Sequence, residues 1–165
     1  MEPIYLDHNA TTPVDPEVRE AMLPYLGPEF GNPSSGHAYG LRVRAAVARA
    51  RDQAAAMIGA APEEIVFTSG GTEASYLALL GAAAALRDRR PDRSLRIASF
   101  TLEHPATLVP LEDLRRRGDE ILLARADHHG VVDLDEILGA VRGPEPADLA
   151  SLMVAHNETG AIQPV

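Results

Sequence analysis

From residue 64 onward the chain alternates short β-prone runs with helix-prone stretches, and this alternation restricts the fold more than any other feature. The β-prone runs are 65–68, 95–100, 120–124 and 149–155. Helices are expected between them: from Thr72 to about Arg87, from Pro105 to Gly118, and from the Asp133 cap to near Arg142. Strands separated by helices cannot pair through tight hairpins. They are joined by right-handed crossovers, which place them parallel. The expected architecture is α/β: a mainly parallel sheet with helices on both faces.

The first third reads differently. Residues 4–12 form an extended lead-in, and Asp15-Pro16-Glu17 marks a helix start, with a cap, a proline at the first position and an acid in the first turn. That helix is expected to stop at Gly27-Pro28. A turn-rich loop, 30–36, precedes a long Ala/Arg-rich helix from about Tyr39 to Ile58, ended by Gly59. Three segments follow from this reading: 1–14 extended, 15–62 helical, and 63–165 an α/β domain. The sequence stops just after an apolar strand, with no charged tail or docking helix, which suggests one portion of a longer or split polypeptide. A sheet ending there has an unpaired edge and an uncovered apolar face, so the isolated chain is expected to dimerise, aggregate or need a missing half.

Composition narrows the chemistry. Of 165 residues, 24 are acidic and 15 basic, giving a net charge of -9, which argues against a broad nucleic-acid surface. No apolar run approaches a membrane span and no signal peptide opens the chain, so the cytoplasm is the default compartment. There is no cysteine, hence no disulfide framework and no thiolate metal site. All the basic residues are arginine. A guanidinium stays protonated and does not condense with aldehydes, so no side chain here can form a Schiff base.

Four polar clusters could carry chemistry. In Thr68-Ser69-Gly70-Gly71-Thr72-Glu73-Ala74 a short strand meets a glycine pair at a helix start. Free backbone N–H groups, the positive helix end and the Thr72 hydroxyl make a phosphate cradle in physical terms, although a plain strand-to-helix turn has the same look. It is neither a Walker loop nor a dinucleotide fingerprint. Glu103-His104-Pro105 follows the second strand. Its imidazole could stack on a flat ring or shuttle a proton, or simply cap the next helix. His156-Asn157-Glu158-Thr159-Gly160 follows the last strand and offers an amide donor and acceptor, or an ordinary Asn turn. Leu6 to Pro13 and Asn32-Pro33-Ser34-Ser35 are rich in small hydrogen-bonding residues that could line a polar pocket or satisfy their own backbone. His128-His129 reads as a solvated turn, and Arg115-Arg116-Arg117 as a helix-end charge cluster. Three of the four clusters follow strands at the C-terminal edge of one parallel sheet, where α/β folds bind ligands. Such a rim suits a planar phosphorylated cofactor.

At these residues the chain resembles the cysteine desulfurases, the class V branch of the pyridoxal-phosphate aminotransferases. The matching segments are Tyr5 to Thr12, Phe30 to Ser35, Phe67 to Ala74, Glu103 to Ala106 and Asn157 to Pro164, in the family's order and across essentially the whole chain. The resemblance implies the N-terminal part of a fold type I large domain and pyridoxal 5'-phosphate as cofactor. L-cysteine is the implied substrate, giving alanine and an enzyme-bound persulfide, in a homodimeric complete enzyme serving iron–sulfur cluster assembly. It implies that Gly71 and Thr72 hold the cofactor phosphate, that His104 stacks on the pyridine ring and assists proton transfer as the catalytic histidine, and that Asn157 contacts the ring. Asn9 and Asn32 are substrate-side candidates, and no metal is implied.

The departures are as informative. The family's Schiff-base lysine, the aspartate under the pyridine nitrogen with its neighbouring glutamine, the persulfide cysteine and the carboxylate-binding arginine all belong to segments beyond residue 165. The chain alone is therefore expected to be inactive, with the reactive amine coming from a missing C-terminal half or second polypeptide. Histidine replaces the family's usual asparagine at His8 and His156. The second exchange, beside a cofactor contact, points to altered selectivity. The alternatives are a related class V lyase, aminotransferase or epimerase, or a non-catalytic half-domain that binds a partner chain.

Overall fold

The computed structural model describes residues 3–165, which divide into a first unit ending at Phe67 and a second from Thr68 to Val165. In the first unit, Asp15 caps α1 (Pro16–Met22) by accepting the Glu17 N–H, as its sequence suggests. Pro24 cannot supply an amide to a continuing α-helix, and the expected single helix becomes α1 plus a 3-10 turn over Leu23–Leu26. The long helix α2 (Ala38–Ile58) ends at Gly59, whose φ of 68° is the left-handed geometry glycine adopts without penalty. Gly40 has a different reason to be glycine. A Cβ there would lie 2.3 Å from the Ser35 carbonyl oxygen and 2.6 Å from that of Asn32, so the 32–35 loop packs directly on the first turn of α2.

The expected strand at 65–68 is absent. A strand requires a neighbour for its backbone groups, and none of the described residues pairs with this run. Arg51 instead donates to the Ile65 carbonyl and lies over the Phe67 ring at 5.0 Å.

The second unit has the anticipated architecture. Helix α3 (Gly71–Arg89) leads to β1 (Arg96–Phe100), α4 (Pro105–Arg116), β2 (Glu120–Ala124), α5 (Leu134–Arg142) and β3 (Leu149–Ala150). The sheet has three strands in the order β2-β1-β3, all parallel, with Ile97 opposite both Ile121 and Leu149. The last strand is shorter than the 149–155 run expected, because only its first two residues find ladder partners on β1. Side-chain alternation divides the core. Leu95 and Ile97 meet Leu79 and Ala83 of α3 and Leu111 and Leu114 of α4, whereas Phe100 and Ala124 meet Ile137 of α5. Helices therefore cover both faces.

Charge pairs close the edge where the strands begin. Asp119, just before β2, accepts from Arg87 at 2.5 Å and from the Leu95 N–H at 3.1 Å. Asp148, just before β3, accepts from Arg90 and Arg93 and from the Arg96 N–H. Arg96 also pairs with Glu120 at 2.7 Å. These contacts fix the C-terminal end of α3 at the strand starts. The N-terminus of α3 therefore lies toward the opposite edge, where β1 ends and α4 begins.

Candidate functional site

Three segments of the second unit lie at that edge. The first is the start of α3. Its N-cap, Gly70, is extended and supplies no side-chain hydrogen bond, so the N–H groups of Gly71 and Thr72 meet no cap among the described residues. A Cβ built on Gly70 or Gly71 would meet nothing within 4 Å, so the space beside the glycine pair is open. Thr72 is exposed. Glu73 turns back: its Oε2 accepts the Ser69 N–H and hydroxyl, each at 2.6 Å, which holds its carboxyl below the usual carboxylate range. The acid in the first turn is thereby tied to the loop and kept off the helix mouth.

The second segment carries His104. This residue is the N-cap of α4, and its Nδ1 accepts the Ala106 N–H at 3.0 Å. A ring nitrogen that accepts cannot carry the proton, so in the neutral imidazole the proton is on Nε2. One nitrogen holds the helix start; the other, with the exposed ring, remains available. His37 and His156 are used in the same way, through Nδ1 to backbone N–H groups.

The third segment is a small hairpin after β3. Ala155 and Ile162 pair as an antiparallel bridge, and the Gln163 N–H donates to the Val154 carbonyl at 2.8 Å. Asn157 sits exposed in the turn. His156 Nδ1 accepts from both Glu158 and Thr159, each at 3.2 Å, as an asparagine side-chain oxygen does in an Asx turn. The histidine at this position thus has a local structural task.

Two residues to which the sequence reading assigned no role hold these segments in place. Glu103 is buried next to His104, and its Oε1 accepts the Met153 N–H, joining the loop after β1 to the irregular segment that leads into the hairpin. Burial pushes its carboxyl above the usual glutamate range; the Met153 N–H, the Thr107 hydroxyl and the His104 N–H oppose the shift. Gln163, also buried, accepts from the Val132 N–H at 2.8 Å and donates to the Gly130 carbonyl at 3.0 Å, fastening the far arm of the hairpin. The signal for Glu103 was an acid directly ahead of a His-Pro helix start. For Gln163 it was a single amide between Ile162 and Pro164.

Asn9 and Asn32 belong to the first unit. Asn9 lies in a turn closed by the Ala10 and Thr11 N–H groups on the Asp7 carbonyl. The side-chain oxygen of Asn32 accepts the Ser34 N–H at 2.9 Å in an Asx turn. His8 Nδ1 lies 3.2 Å from the Thr12 hydroxyl. His128 and His129 occupy an exposed turn organised by Asp127, and Arg115, Arg116 and Arg117 pair with Glu112 and Asp113 along α4. A cavity of about 660 Å³ lies at the opposite, strand-start edge, but the arginines that line it (Arg90, Arg93 and Arg96) are the ion-paired ones above. We therefore place the candidate site at the rim where the strands end.

A parallel sheet with polar loops on its C-terminal rim, an uncapped helix mouth beside a glycine pair, and an exposed histidine at the next helix start define an α/β protein whose rim is where such folds place ligands. The sequence model of the Aminotransferase class-V family matches residues 4–165, and the chain belongs to that family. Its relatives are cysteine desulfurases. That of Trichormus azollae is 43% identical over all 165 residues, and the putative cysteine desulfurase IscS 1 of Bacillus subtilis is 44% identical over the same length. The chain spans 40% and 42% of these relatives' lengths. Among solved structures, a NifS-like protein superposes with a TM-score of 0.84 at 35% identity, over 94% of this chain and 41% of that one. DndA from Streptomyces lividans gives 0.78 at 41% identity, over 98% and 44%.

Proposed function

We propose that this chain is the cofactor-holding part of a pyridoxal-phosphate-dependent cysteine desulfurase. The observation that carries the reading is the uncapped, sterically open start of α3 at the same sheet edge as His104, whose ring is fixed through one nitrogen and free at the other. These residues fit a pyridoxal phosphate. The Gly71 and Thr72 N–H groups and the Thr72 hydroxyl would receive the phosphate, the His104 ring would lie against the pyridine, and Asn157 would reach the ring's polar edge. When bound, the cofactor supplies an electron sink for the bonds at an amino acid's α-carbon. Because Nδ1 of His104 is committed to Ala106, any proton this residue gives or takes passes through Nε2. L-cysteine as substrate is supported by the relatives' names and by a structural neighbour, 29% identical, described as SspA in complex with cysteine. Homodimeric assembly and a part in iron–sulfur cluster assembly rest on the resemblance.

The chain contains no lysine. We infer that its bound cofactor is held without a covalent bond to a side chain and that desulfuration requires an amine from other residues. The test is a titration of the chain with pyridoxal phosphate and with pyridoxal, read by absorbance and circular dichroism of the ligand. The expected result is saturable binding of the phosphorylated form, at least tenfold weaker for pyridoxal and for Thr72→Ala, with no sulfide from cysteine above the free-cofactor background. Equal affinity for the two ligands would refute the phosphate assignment. Sulfide above the background would refute the need for an outside amine.

A further inference from the structure

We infer that Glu103 is a positioning residue for the cofactor ring: its buried carboxylate is the strut that sets the spacing between the loop bearing His104 and the segment leading to Asn157. The inference rests on the functional reading above for its purpose, but its geometry stands independently.

Glu103 is 6% exposed, and its Oε1 accepts the Met153 N–H across a sequence separation of fifty residues. The Thr107 hydroxyl and the His104 N–H face the same carboxylate, so one side chain ties together the end of β1, the first turn of α4 and the irregular segment before the hairpin. β3 pairs with β1 only through Leu149 and Ala150, so ladder bonds do not register residues 152–157 against the His104 loop. Ser151 is the last of this run to donate to β1, through the Ala98 carbonyl. Beyond it, the Glu103–Met153 hydrogen bond joins the two segments, beside the packing of Leu102, Leu152 and Met153 in one apolar cluster. A carboxylate is buried at a cost unless several donors meet it. Here the donors come from the two segments whose spacing a flat ring would need, and the acid itself is too buried to touch a ligand on the rim. Its effect therefore passes through His104 and Asn157.

The test compares the full chain with Glu103→Ala and Glu103→Gln. Amide hydrogen exchange and the NMR shifts of Met153, His104 and Asn157 report the strut directly. Affinities for inorganic phosphate and for pyridoxal phosphate, with the circular dichroism of the bound cofactor, report its purpose. Glu103→Ala should expose the Met153 amide, move the His104 and Asn157 signals, weaken pyridoxal phosphate about tenfold and erase the cofactor's dichroism. Phosphate affinity at Thr72 should stay within twofold. Glu103→Gln keeps an acceptor for Met153 and should recover most of the dichroism. Unchanged Met153 exchange and unchanged His104 and Asn157 shifts in Glu103→Ala would overturn the inference, as would parallel losses of phosphate and cofactor affinity. If Glu103→Ala does not fold, wild type still decides: the Met153 amide shift must follow a carboxyl titrating above the ordinary glutamate range, with His104 the titratable neighbour facing it, and must lose that step in Glu103→Gln. If wild type shows the strut but binds no pyridoxal phosphate, the functional reading fails and the strut remains.

Discussion

Replacing Gln163 with leucine removes little volume but strands two buried backbone groups. In the native chain the amide oxygen satisfies the Val132 N–H and the amide nitrogen satisfies the Gly130 carbonyl, both inside the protein. An unsatisfied buried polar group costs about 1–3 kcal/mol, and the apolar replacement recovers part of that through burial. The net loss should be about 2–4 kcal/mol, which at a urea slope of about 2 kcal/mol/M lowers the midpoint by about 1–2 M. Far-UV circular dichroism against urea reads this directly, since the chain has no tryptophan to serve as a probe. Gln163→Glu sharpens the test. An ionised carboxylate can still accept from Val132 but faces the Gly130 carbonyl with like polarity, whereas the protonated acid restores the donor. Its folded-state pKa should therefore rise, so stability relative to wild type should be recovered at low pH and lost as pH climbs through that raised value. A Gln163→Leu midpoint within about 0.2 M of wild type, far short of the expected shift, would refute the reasoning.

Three further outcomes follow. Phe100→Ala, at a fully buried position where α5 packs on the sheet, should cost about 3–5 kcal/mol in the same urea assay. Glu73 is held below its ordinary pKa by Ser69. Its contribution to the α3 start is complete above the ordinary value and is lost as pH falls through the lowered one, so the Ser69 amide shift should report that loss in acid and be flat in Glu73→Gln. Gly40→Ala drives a Cβ into the Ser35 and Asn32 carbonyl oxygens and should destabilise the first unit by about 1–3 kcal/mol, seen as a lower melting temperature.

Much of the second unit was legible because its boundaries are written in local chemistry. Asp133 accepts from Asp135 and Glu136, Pro105 opens α4, and the apolar runs of β1 and β2 fall where the ladder forms. The two misread strands share one cause. Residues 65–68 and 151–155 are β-prone, but strand formation depends on a partner that sequence periodicity does not record. The site divided along the same line. The glycine pair and Thr72 could be read from a strand-to-helix spacing, and His104 from its place after β1. The Nδ1 bond that makes His104 a cap, and the equivalent bonds of His37 and His156, depend on ring orientation. Glu103 and Gln163 carried only faint local signals, an acid ahead of His-Pro and an amide between Ile162 and Pro164, and neither signal says which distant segment supplies the partner.

The ion pairs that lock the strand starts consist of guanidinium forks on carboxylates. Ammonium groups would have served the electrostatics nearly as well, yet they condense with carbonyl compounds and shed their charge when they do. A clamp made only from arginine is inert toward that reaction. The far side of the sheet therefore keeps its fastening when free aldehyde surrounds the molecule, since this chain has no lysine to condense with it.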